Sequence, residues 1–123
     1  MSGEDMEFDE LASNVGNFVL IDVRNRDEVE QHGQIPGSYC IPLGELEEAM
    51  GMEAAEFTAK YGFQRPATGV SLVTHCMKGG RARKAGDLLA SHGYKTRVYA
   101  GSFNDWKEKE GKIKPGKPFV PDN

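Results

Sequence analysis

A cysteine followed within a few residues by two glycines and several cations suits nucleophilic sulfur chemistry. The stretch here is Val70-Ser-Leu-Val-Thr-His-Cys-Met-Lys-Gly-Gly-Arg81. Val70 to Val73 read as a buried strand, and Cys76 comes off its end. Gly79 and Gly80 let the backbone curl, and Arg81 to Ser91 has the periodicity of an amphipathic helix. Strand, tight loop and helix N-terminus together make a cradle of backbone N–H groups, which stabilises a thiolate. The groups available are those of Met77, Lys78, Gly79, Gly80, Arg81 and Ala82. The helix dipole adds about 0.3–1 kcal/mol for an anion, and charge-assisted hydrogen bonds add more. A plain core cysteine would need neither the glycines nor the cations. Cys76 is therefore the candidate nucleophile.

Other residues are weaker candidates. Cys40, in Ser38-Tyr-Cys-Ile-Pro42, reads as a buried structural cysteine. Two cysteines at this spacing match no zinc motif, and a disulfide between them is not expected in a reducing compartment. His75 precedes Cys76, but strand alternation sends adjacent side chains to opposite faces, so it is not a base for the sulfur. His32 and His92 have no supporting context. Arg83 and Lys84 read as helix-surface charges, and Trp106 as core. Asp22 ends a strand, and Arg24 is expected to pair with Glu28 four residues on.

The elements that must position these groups alternate. Met6 to Asn14 reads as a short helix, Phe18 to Val23 as a strand, Arg26 to Gln31 as a helix, and Tyr39 to Ile41 as a short strand. Leu43 to Met50 and Glu53 to Tyr61 are helical, with Gly51 as the break; Thr96 to Tyr99 is a further strand. Ser102 is expected to N-cap a helix running through Lys109. The tail from Gly111 to Asn123, rich in Gly, Pro and Lys, is expected to be extended or mobile. Strands alternating with helices imply a parallel sheet covered on both faces, with the working site at the strands' C-terminal ends. Asp22, Cys76 and Tyr99-Ala-Gly101 all fall at such ends.

At 123 residues the chain reads as a single domain, with a core over about 5–110. No run of eighteen apolar residues exists, so no membrane partner is expected. The acidic first residues resemble neither a secretory nor a transit signal, and a cytoplasmic location is the default, with a mitochondrial one left open. No metal or cofactor motif is present, and the chain is expected to act as a monomer. Residues 1–60 carry 14 acidic and 3 basic residues, whereas 61–123 carry 5 acidic and 12 basic. The imbalance can mean faces that attract each other, or a positive field that draws a small anion toward Cys76. Nucleic acid is not an expected partner, because no aromatic residues interleave with the basic ones.

Loop length narrows the chemistry. Four residues, Met77-Lys-Gly-Gly80, separate Cys76 from Arg81. A cysteine phosphatase loop has one more, to hold a tetrahedral phosphate. The tighter cradle suits a thiolate carrying one extra sulfur atom. The stretch Leu20-Ile-Asp-Val-Arg-Asn-Arg-Asp-Glu28, then Gly33-Gln-Ile-Pro-Gly-Ser38 and Ile41-Pro42, resembles the N-terminal signature of single-domain rhodanese sulfurtransferases. Cys76-Met-Lys-Gly-Gly-Arg81 resembles their active-site loop, and Tyr99-Ala-Gly-Ser-Phe-Asn-Asp-Trp106 their C-terminal signature. Met52 to Gly62 is most similar to the thiosulfate:glutathione sulfurtransferase group.

The resemblance implies a three-layer α/β fold with a central, mostly parallel, five-stranded sheet and helices on both faces. It implies a Cys76 persulfide formed from thiosulfate and passed to a thiol such as glutathione, or to cyanide. The partners are then a small anionic sulfur donor and a thiol acceptor. Met77, Lys78, Gly79, Gly80 and Arg81 would be the substrate-binding loop. Lys78 and Arg81 would hold the sulfonate, although Arg81 could equally tie the loop to the scaffold. Asp22 and Arg24, the family's Asp-x-Arg, would support the site from behind. Gln34 stands where the family often has His, at a position expected to be structural. The alternatives are a sulfur relay to a protein partner and, less favoured by loop length, a phosphatase or arsenate reductase of related fold.

Overall fold

The structure, a computed structural model, describes residues 4–119. Its elements are α1 (Phe8–Asn14), β1 (Val19–Asp22), α2 (Arg26–His32), β2 (Ser38–Cys40), α3 (Leu43–Met50), α4 (Ala54–Tyr61), β3 (Ser71–His75), α5 (Gly80–Ser91), β4 (Lys95–Val98) and α6 (Ser102–Glu108). The strands pair in parallel in the order β2-β1-β3-β4. Alternation along each strand sends one set of side chains to each face. Ile21, Leu72 and Val98 pack under α3, α4 and α5, against Leu46, Phe57, Ala85 and Leu89. Leu20 and Val73 face the other way, against Leu11 of α1 and Phe103 and Trp106 of α6. No helix among the described residues is long and apolar enough to cross a membrane.

The sheet differs from the expected five strands: the described residues form four. The segment before α1 does reach the β4 edge, where the Met6 N–H donates to the Val98 carbonyl at 2.8 Å. Helix α1 begins at Phe8, so the chain turns away before a ladder forms.

Along its described part the tail is extended and docked. Lys114 forms an antiparallel bridge with Gln34, and Trp106 Nε1 donates to the Lys112 carbonyl. Residues 120–123 of the tail lie outside the described residues. Gln34, buried, joins the tail to the loop after α2: its Nε2 donates to the Ser38 carbonyl and its Oε1 accepts the Lys117 N–H. Gly116 passes so close to α2 that a Cβ there would sit 1.6 Å from the Val29 carbonyl oxygen. Replacing Gln34 by alanine removes these side-chain bonds and is expected to cost about 1–3 kcal/mol. Faster proteolysis of the tail, with a lower denaturation midpoint, would report it. An unchanged protein would mean that the backbone bridge alone holds the tail.

Candidate active site

The register of the sheet assembles the site. Asp22, at the end of β1, lies beside Cys40 of β2 and His75 of β3. Cys76 follows His75 directly. Strands are about 4.8 Å apart, so Cys40 lies about 10 Å from the end of β3. A disulfide spans roughly 4.4–6.8 Å between Cα atoms, and both thiols are free. Cys40 is half-buried, its Sγ 3.6 Å from the Arg24 carbonyl, and burial pushes its thiol up to about 12. That environment is structural and disfavours a thiolate.

Cys76 is 1% exposed and sits in a different setting. Its Sγ accepts the Gly79 N–H at 3.0 Å and the Ala82 N–H at 3.4 Å. Of the six backbone donors the sequence offered, these two reach the sulfur. They belong to the N-cap and the third residue of α5, which has no side-chain cap. The sulfur therefore takes the place of a capping oxygen at the helix N-terminus, where partial positive charge favours an anion. Gly79 is required on two counts. It lies at φ +113°, and a Cβ there would meet the Ala100 carbonyl oxygen at 2.3 Å. From the other side, α6 fixes the loop: the Phe103 and Asn104 N–H groups donate to the Cys76 and Met77 carbonyls. These otherwise orphaned helix donors thus hold the sulfur's own backbone.

Ser102 lies against Cys76, a placement that local reasoning missed. It does not N-cap α6; that position is Gly101. Ser102 is fully buried at φ +58°, a conformation uncommon for a residue with a Cβ. Its hydroxyl donates to the Tyr99 carbonyl at 2.9 Å and accepts the Cys76 N–H at 3.1 Å. It lies 3.8 Å from Sγ. The signal available in the sequence was its place just past the end of β4, where working residues gather.

Asp22 and Arg24 form a fully buried ion pair beneath the loop. Arg24 donates from Nε and Nη2 to the carboxylate, and from Nη2 also to the Gly33 carbonyl. Its guanidinium lies 4.2 Å from the centre of the Phe103 ring. Arg24 does not pair with Glu28, as the helical spacing had suggested. Burial opposes ionisation of Asp22, but His75 and the Arg24 guanidinium reverse this and hold its carboxyl below the usual range. Burial pushes the His75 imidazole below its ordinary value, against the pull of the Asp22 carboxylate. The ring donates Nδ1–H to the Cys76 carbonyl at 3.3 Å rather than facing the sulfur.

Glu28 instead pairs in a fork with Arg81, 53 residues away. The pair lines a cleft of about 510 Å³ together with Cys76, Met77, Lys78, Gly80 and Lys84. Lys84, set aside in the sequence as a surface charge, belongs to this wall. The charge imbalance between the chain's halves is partly spent on pairs that join one half to the other: Arg81–Glu28, Arg83–Asp5 and Arg97–Glu10.

The Arg81 hydrogen bonds hold the Glu28 carboxyl at about 2, against an ordinary 4.5. A depressed carboxyl contributes stability that is complete above the unfolded value and is lost as pH falls through the folded one. The contribution should therefore disappear between about pH 4.5 and pH 2. The pair is partly exposed, so its worth is about 1 kcal/mol at most. Denaturation midpoints of the protein and of Glu28→Gln should converge as pH drops through that window. Parallel curves would mean the pair contributes nothing.

Comparison with known proteins places this geometry. The rhodanese-like domain family model matches residues 7–109. The human thiosulfate:glutathione sulfurtransferase is 43% identical over 97 residues, covering 77% of this chain and 84% of its own. The rhodanese domain-containing protein CG4456 of Drosophila melanogaster is 41% identical over 99 residues, covering 80% and 89%. The solved structure of the human single-domain sulfurtransferase TSTD1 superposes with a TM-score of 0.84 at 40% identity, over 89% of this chain and 99% of that one. With a parallel α/β sheet, a cysteine-opened loop at its strand ends and these relatives, the chain belongs to the rhodanese-like domain family, beside its single-domain sulfurtransferases.

Proposed function

We propose that the protein is a thiosulfate sulfurtransferase that carries sulfur on Cys76 and delivers it to a thiol such as glutathione. The observation that carries this reading is the Cys76 sulfur, held by the Gly79 and Ala82 N–H groups at the floor of a cleft lined with cations. The Cys76 thiolate attacks the outer sulfur of thiosulfate. The S–S bond of thiosulfate breaks, its electron pair leaves with sulfite, and Cys76 is left as a persulfide anion. A thiolate then attacks the outer persulfide sulfur and returns the electron pair to Sγ. This is covalent catalysis in two half-reactions, with ping-pong kinetics.

Lys78, exposed in the loop, is placed to hold the sulfonate end of the donor. The guanidinium of Arg81 is already engaged by Glu28, so Arg81 braces the loop against α2 and lends its charge to the wall. Met77 packs in part against the α1–α6 face of the core and also lines the cleft. Gly79 and Gly80 let the backbone close around the sulfur, while Asp22 and Arg24 support the loop from beneath. Intact mass after thiosulfate treatment tests the reading: the protein should gain one sulfur atom and lose it to glutathione or cyanide. No gain in mass would overturn the donor assignment.

A further inference from the structure

Positive charge along the Cys76 cleft exceeds the carboxylate that faces it. Arg81, Arg83 and Arg97 are each neutralised by a carboxylate from the acidic half of the chain. Lys78 and Lys84 both line the cleft, and neither has an ion pair among the described residues. Lys84 follows Arg81 by three residues on α5, so both lie on the same helix face. It stands about 4.5 Å further along the helix axis than Arg81. The wall thus begins with a free lysine in the loop, continues with an arginine already matched by Glu28, and ends with a second free lysine.

The two substrates meet this wall differently. Thiosulfate is a five-atom anion whose outer sulfur must touch Sγ, so its sulfonate lies close to the loop and Lys78. A cleft of about 510 Å³ is then left mostly unfilled, and its size is that of an ordinary small-molecule site, roughly 300–1,000 Å³. After sulfite leaves, the acceptor approaches the outer sulfur from the mouth, and the rest of its body lies along α5.

We propose that Lys84 selects the sulfur acceptor by binding a carboxylate of an anionic thiol. The inference rests on the persulfide reading above and names the acceptor class: thiols that carry carboxylates, in preference to uncharged ones. In the step concerned, the acceptor thiolate RS⁻ bonds to the outer sulfur of the Cys76 persulfide anion. The S–S bond to Sγ breaks, the electron pair stays on Sγ, and RSS⁻ departs. No oxidant or reductant is needed.

The test isolates discharge from loading. Cys76 is loaded with inorganic polysulfide, not thiosulfate, and discharged with glutathione or with uncharged 2-mercaptoethanol at matched thiolate concentrations. The ratio of the two rate constants is read by intact mass at timed intervals. In Lys84→Gln that ratio should fall about two- to five-fold, and in Lys84→Glu about five- to twenty-fold, with the difference shrinking in high salt. An unchanged ratio, or an equal fall with both thiols, overturns the inference. If thiosulfate fails to load Cys76 but the polysulfide-loaded protein shows the expected ratios, the donor reading fails and the acceptor inference stands. A protein that takes no sulfur from polysulfide overturns both.

Discussion

In Cys76→Ser, sulfur uptake should vanish and sulfite release from thiosulfate should fall by more than about 1,000-fold, as when a nucleophile is removed from other covalent enzymes. The fold should survive. A serine oxygen in the same place can accept the Gly79 and Ala82 N–H groups that Sγ accepts, so stability should change by no more than about 1 kcal/mol. The loss would then belong to the chemistry: a neutral hydroxyl is a poor nucleophile, and an alkoxysulfur adduct has no counterpart to the persulfide. Sulfite assays and intact mass, run beside a thermal melt, separate the two effects. A folded serine variant that still turns over thiosulfate would move the nucleophile elsewhere and remove the basis of the proposed mechanism.

The second large effect is on stability. Asp22→Ala leaves the Arg24 guanidinium fully buried with only the Gly33 carbonyl and the Phe103 ring as company. Breaking a buried pair from one side costs about 3–5 kcal/mol, because the surviving charge stays desolvated. That is a large share of the roughly 5–15 kcal/mol that holds a domain of this kind together. Chemical denaturation measures it directly. Replacing both partners by apolar residues of similar volume, Asp22→Leu with Arg24→Met, should restore much of the loss. If the single variant loses less than about 1 kcal/mol, the pair is not the keystone beneath the loop that its geometry implies.

Much of this arrangement was legible in the order of residue types. Apolar runs ended by Asp22 and by His75-Cys76 marked strands whose C-terminal ends had to converge, and the sheet register places them side by side. The helices α3 and α5 fell within one residue of their expected limits, because Gly51, Gly79 and Gly80 punctuate the chain there. What escaped was set by distance along the chain. Arg24 and Glu28 are four apart and invited a helical pair, but Arg24 precedes the helix and shares Asp22's side of the chain by the two-residue period of a strand. Glu28 was thereby free for Arg81, a partner that no local rule could name. Ser102 followed the capping preference of its type in the sequence reading. Its backbone turns the other way, and its hydroxyl serves the Cys76 N–H instead. The fourth strand is an edge, and whether a fifth joins it depends on where α1 begins, a boundary that composition locates only loosely.

The hydrogen bonds that cradle the Cys76 sulfur come from main-chain amides of Gly79 and Ala82. Except at Gly79, where a side chain does not fit, and short of proline, a point mutation changes the side chain and leaves the amide in place. The grip on the sulfur is therefore insulated from most substitutions in the loop, while Met77, Lys78 and Lys84, which face the cleft, remain open to change. Reactivity and substrate preference are in this sense heritable separately. A lineage, or an engineer, can retune what the cleft admits without rebuilding the cradle that holds the Cys76 Sγ.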